Sequence, residues 1–86
     1  MPTISRFFGI IISMYWDEHN PPHFHVRFGE YKCSIDINDV SVIVGKLPKK
    51  QERLVLAWTE IHQKELLHNW ELCLDDKQPI KIEPLR

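Results

Sequence analysis

An antiparallel β-meander of three to five strands, with a helical layer packed on one face, is the α+β arrangement that this chain predicts. Three observations carry the prediction. His23 to Phe28 alternates strictly between polar and apolar residues, which is the period of a half-buried strand. Tyr31 to Ile37 resumes the alternation after Gly29-Glu30, a two-residue turn with glycine first. Beyond Pro48, the residues Val55, Trp58, His62, Leu66, Trp70 and Cys73 recur at steps of three or four, the stripe of an amphipathic helix.

Ile10 to Tyr15 is β-rich and apolar on both parities, so it is expected to lie centrally in the sheet. Trp16 to Pro22 must then be a loop, because Pro21 and Pro22 donate no backbone hydrogen bond and each restricts the residue before it. In the next strand Phe24, Val26 and Phe28 face inward and His23, His25 and Arg27 face outward. Counting back from the Gly29-Glu30 turn pairs Phe28 with Tyr31, Arg27 with Lys32, Val26 with Cys33, His25 with Ser34, Phe24 with Ile35 and His23 with Asp36. Apolar meets apolar throughout, whereas a slip of one residue would oppose apolar to polar at every pair. Tyr31, Cys33, Ile35 and Ile37 are expected inside. Asn38-Asp39 offers a second tight turn, after which Val40, Val42 and Val44 continue the inward parity.

Gly45 to Pro48 breaks this strand, and Pro48 suits the first position of a helix, where its missing N–H costs nothing. One long or kinked helix over 48–74 is predicted, with Leu54 and Ile61 widening its stripe early and Leu67 and Leu74 late. The stripe drifts near 62–64, where a kink or short break fits. Asp75 to Pro79 ends the helix, and Ile80-Lys81-Ile82 reads as a short edge strand before Pro84.

At 86 residues the chain is expected to form a single domain, 1–86, with one modest core. A net charge of -1 argues against obligatory nucleic-acid binding, leaving it possible without being indicated. Cys33 and Cys73 lack Cys-x-x-Cys spacing and read as reduced core residues. The apolar run from Gly9 to Tyr15 is about a third of a membrane span, so no membrane association is expected and a cytoplasmic location is the default.

The unusual residues concentrate in Asp17-Glu18-His19-Asn20-Pro21-Pro22-His23-Phe24-His25. The candidate binding residues are Asp17, His19, His23, His25, Arg27, Lys32 and Asp36. Opposed side chains in an antiparallel pair have Cβ atoms about 4.5–5.5 Å apart, so His23 and Asp36 are placed to meet, with His25 one step along. Two histidines two apart plus a carboxylate permit a divalent metal without requiring one, with His19 or Asp17 reaching in from the loop. The same face also permits acid–base chemistry on a phosphodiester, with one imidazole as base and the other as acid. Arg27 opposite Lys32 favours a phosphate or carboxylate guest, because like charges there repel unless solvated or bound by an anion. A plain solvated sheet face has the same composition, and no catalytic residue, resident metal or cofactor is assigned.

Elsewhere, Lys46, Lys49, Lys50 and Arg53 cluster around the helix start as a solvated basic patch. Trp58 and Trp70 are core anchors, Tyr15 and Trp16 anchor the loop, His62 packs within the stripe and His68 faces solvent.

The pieces Pro2-Thr3-Ile4, Asp17 to His25, Gly45-Lys46-Leu47-Pro48, Trp58, Asn69-Trp70-Glu71 and Ile82-Glu83-Pro84-Leu85 resemble a small bacterial family, domain of unknown function 4160. The Pro-Pro-His-Phe-His string is its specific part, and the resemblance covers essentially the whole chain. It implies no settled activity. It implies a second small protein encoded alongside, in a layout similar to toxin–antitoxin modules, and with it a partner chain and an RNA or DNA target. The foremost expectation is therefore a non-enzymatic partner-binding component of a two-gene, toxin–antitoxin-like unit. The alternatives are a metal-independent ribonuclease or phosphodiesterase using His23 and His25, and a divalent-metal-binding protein.

Overall fold

The turn at Gly29-Glu30 sets the register of the sheet. Gly29 has φ +57°, a left-handed value that glycine adopts at no steric cost, and it reverses the chain between β3 (His23–Phe28) and β4 (Tyr31–Asp36). The six pairs of this hairpin, from Phe28 with Tyr31 to His23 with Asp36, are those expected from the sequence, residue for residue. The computed structural model, which describes residues 2–16 and 18–86, adds β1 (Thr3–Phe7) and β2 (Ile10–Ser13) on one side and β5 (Ser41–Gly45) on the other. All neighbours are antiparallel, in the order β1-β2-β3-β4-β5.

Two irregularities in the sheet escape a strict period of two. On β1 the register shifts between Thr3 and Ser5, so that Ile4 and Ser5 are both buried in succession. That bulge removes the alternation that would have announced a strand. On β5, Val42 pairs with Ile35 and Val44 with Ser34, so two steps on β5 match one on β4. The inward parity expected of Val40, Val42 and Val44 is therefore wrong: Val40 sits in the turn at φ +53°, Val42 is half-buried, and Val44 is 65% exposed. Tyr31, also expected inside, lies beside the hairpin turn and is 42% exposed.

The helical layer is two helices, α1 (Lys49–Ile61) and α2 (Gln63–Leu74), parted at His62. Gln63 explains the break, because its side-chain amide donates to the carbonyls of Ile37 and Asn38 at 2.8 and 3.2 Å and ties the joint to the β4–β5 turn. His62 packs at the joint with its ring 5.4 Å from Trp58 and a 2.6 Å contact from Nδ1 to Glu65. The buried stripe then runs through Val55, Trp58 and Thr59 on α1 and Leu66, Asn69, Trp70 and Cys73 on α2. Ile61 and Leu74 fall off it and are exposed. Pro48 is the residue before the helix rather than its first, with ψ 149°.

Trp58, Phe24, Ile10, Ile12, Met14, Ile35, Ile37, Val55 and Leu66 are fully enclosed between sheet and helices. Cys33 and Cys73 are buried free thiols. Burial, with the nearby charge of Glu52 second, pushes the Cys33 thiol up to about 11, and burial raises Cys73 as well, so both remain protonated near neutrality. No helix among the described residues is long and apolar enough to cross a membrane.

The edge strand expected at Ile80-Lys81-Ile82 does not form. Both backbone groups of Ile80 are taken by the Asn69 side-chain amide at 2.8 Å each, which leaves the Ile82 N–H bond to the Ile4 carbonyl, also 2.8 Å, alongside β1. The Glu83 carbonyl accepts from Trp58 Nε1 at 2.8 Å and the Lys77 carbonyl from Trp16 Nε1 at 3.0 Å.

Candidate functional site

Strand pairing brings polar side chains together on the sheet face opposite the helices. Because directly paired residues share a face, the register aligns Thr3, Ser13, His25, Ser34 and Val44 in one row across the strands. The next row toward the hairpin turn is Arg6, Ile11, Arg27 and Lys32. Sheet curvature makes these rows the floor of a concavity of about 510 Å³, with Tyr15 at its side.

His23 and His25, two apart on β3, stand side by side with ring centroids 5.2 Å apart. Glu18, from the loop before the prolines, closes over both: Oε1 lies 2.5 Å from His25 Nε2 and Oε2 lies 3.7 Å from His23 Nε2. Ligand-capable atoms of Glu18, His23 and His25 all fall within 4.8 Å of one another. The three side chains are 27%, 13% and 31% exposed, so the cluster is partly desolvated yet open to approach.

The surroundings fix the rings. His23 Nδ1 is 2.7 Å from the Pro21 carbonyl. A carbonyl oxygen only accepts, so Nδ1 carries a proton, and Nε2 is the ring nitrogen that faces Glu18. Trp70, from α2, packs 5.3 Å from the same ring. Around His25, Tyr15 lies edge-on at 4.5 Å and Ser34 Oγ is 3.4 Å from Nδ1.

Of the residues singled out from the sequence, His23, His25, Arg27 and Lys32 share this face as expected. Asp36 is paired with His23 but does not join it, because its Oδ1 accepts the backbone N–H of Asp39 at 2.9 Å and caps the following turn. His19 is exposed and outside the cluster. Asp17 lies outside the described residues. Glu18 stands inside the motif but is not marked by the sequence as a site residue, since the aim of a loop side chain has no period from which to read it. Lys46, Lys49, Lys50 and Arg53 are exposed around the start of α1, and His68 is exposed on α2.

A family model described as a domain of unknown function (DUF4160) matches residues 9–71. The match spans Glu18, His23, His25, Arg27 and Lys32 and leaves out Arg6 with the rest of β1. No curated protein and no solved structure matches the chain.

Proposed function

We propose, for a chain that belongs to the family of domains of unknown function DUF4160 and takes no activity from that membership, that Glu18, His23 and His25 hold one divalent transition-metal ion, zinc foremost. The ion sits on the open sheet face with a coordination position left for a ligand. The observation that carries this reading is the convergence of one carboxylate and two imidazole nitrogens on a single point. An ion about 2.1 Å from each ligand in tetrahedral geometry spaces them about 3.4 Å apart. The contacts of 2.5 and 3.7 Å bracket that value, so small side-chain rotations admit the ion.

Two features beyond the ligands support it. The Pro21 carbonyl holds His23 in the tautomer whose Nε2 is free to ligate, as carbonyl partners commonly do for metal-binding histidine. Three protein ligands with an open side is the pattern of reactive rather than purely structural zinc sites. An acid–base pair acting on a phosphodiester is served less well. In-line displacement sets attacking and leaving oxygens on opposite sides of phosphorus, whereas both imidazoles here turn toward one carboxylate.

Elemental analysis of freshly purified protein tests the proposal. One ion per chain is expected, with Glu18→Gln and His23→Ala each lowering affinity more than about 100-fold, since loss of outer-sphere partners alone costs 10–100-fold. Metal-free material that also takes up no cobalt(II), judged by the absorbance of a tetrahedral cobalt site, would overturn it.

A partner chain is the second reading, and one observation favours it. β5 is an edge strand with Ile43 44% and Val44 65% exposed, a template on which a strand of another protein can add. The small protein encoded alongside, in the toxin–antitoxin-like layout that the family resemblance implies, is the expected occupant. Co-expression should give co-elution of the two chains, abolished by Ile43→Pro. Separate elution of the unaltered chains counts against the reading.

A further inference from the structure

The row Arg6, Ile11, Arg27 and Lys32 is unexplained by the metal reading. Strand pairing sets Arg27 directly opposite Lys32, and places Arg6 two strands away across Ile11. All three cations are exposed, and among the described residues no carboxylate lies within ion-pair distance of any of them. Like charges facing each other across a ladder are destabilising. The chain as a whole is slightly acidic, at -1, so this positive row is a segregation of charge and not a reflection of composition.

We infer that the row is a subsite for phosphate esters, one of whose phosphates reaches the metal held by Glu18, His23 and His25. The inference deepens the metal reading and rests on it for that last contact. Geometry connects the two. Arg27 is two residues from His25 on the same face of β3, a separation of about 7 Å, so a phosphate seated between them can offer one oxygen to the cations and another to the ion. The guanidinium of Arg27 supplies the planar donor fork that matches a phosphate, and Lys32 adds a point charge.

The span of the row points to more than one phosphate. With strands about 4.8 Å apart, Arg6 and Lys32 are separated by about 14 Å, more than a lone carboxylate or a single phosphate bridges. Arg27 and Lys32 share one phosphate and Arg6 takes the next, with Ile11 as an apolar step between them. The hydroxyls of Ser13 and Ser34 in the adjacent row are further donors on the same floor.

The test titrates intact protein, metal-free and zinc-loaded, with acetate, inorganic phosphate and a short single-stranded oligoribonucleotide, and measures metal content in parallel. Metal-free protein is expected to bind the oligoribonucleotide with a log–log salt slope of about -1.4 for the two phosphates contacted, falling to about -0.7 in the Arg27→Gln/Lys32→Gln double variant. That variant should bind at least about 10-fold more weakly while keeping its metal. Zinc should tighten phosphate binding, and Glu18→Gln should abolish that gain. Preference for the oligoribonucleotide over inorganic phosphate is the result expected of a row that takes two phosphates, and comparable binding of inorganic phosphate overturns the second contact at Arg6. Equal binding by wild type and double variant, acetate binding as tightly as phosphate, or no binding of either phosphate ligand overturns the inference. Absence of metal with anion binding intact overturns the metal reading and the bridging contact, and leaves the cation row standing.

Discussion

Replacing Trp58 by alanine is expected to remove about 3–5 kcal/mol of stability. Trp58 is fully buried on α1, with its ring 5.4 Å from Phe7 and 5.8 Å from Phe24 and its Nε1–H donated to the Glu83 carbonyl at 2.8 Å. The substitution opens a cavity between β1, β3 and α1 and orphans a partly buried carbonyl. Domains of this size hold roughly 4–13 kcal/mol in total, so the loss takes a large share of the whole. Urea titration and thermal melting read it directly, and the melting temperature should drop by more than about 12 °C. Trp58→Phe retains most of the packing and isolates the hydrogen bond, at about 1–2 kcal/mol. A loss under about 1 kcal/mol for Trp58→Ala would show that α1 does not seal the sheet as described.

Gly45→Ala is expected to cost about 2–5 kcal/mol, a sum of two penalties with separate causes. At φ +79° an L-residue pays about 1–2 kcal/mol for the left-handed backbone. A Cβ at this position would also overlap the Lys32 carbonyl oxygen and lie 2.9 Å from Cys33 Cα. Those are backbone atoms of the adjacent strand and cannot swing aside, and overpacking of this kind adds about 1–3 kcal/mol. Gly29→Ala is the control, because φ there is +57° while nothing lies within 4 Å of the added carbon. It should show the backbone penalty alone. Equal losses at the two glycines in denaturant titrations would mean that β4 and β5 do not approach as closely as the structure has them.

The hairpin was legible in the sequence because two independent signals agreed on it, strict alternation on each arm and a glycine-led turn between them. Placement of His23, His25, Arg27 and Lys32 on one face followed from the register. What broke the reading in each case was a local departure from periodicity. The bulge near Ile4 hid β1 and with it Arg6, and the extra residue on β5 turned Val44 outward. Asp36 preferred a backbone partner three residues on to the imidazole across the ladder. Glu18 lay in a loop, where only the folded chain decides which way a carboxylate points. The break at His62 falls where the drift of the apolar stripe already allowed one, and Gln63 bonding to a distant turn fixes it there.

Residues 77–86 form neither helix nor strand, yet they satisfy the indole of Trp58, both ends of the Asn69 amide and the Ile4 carbonyl on the outer side of β1. Peeling them off would strand polar atoms within an apolar layer, at about 1–3 kcal/mol apiece. A segment without helix or strand, of a kind that elsewhere frays first, is here a strap laid along β1 and the two helices, so loosening it also loosens what it ties.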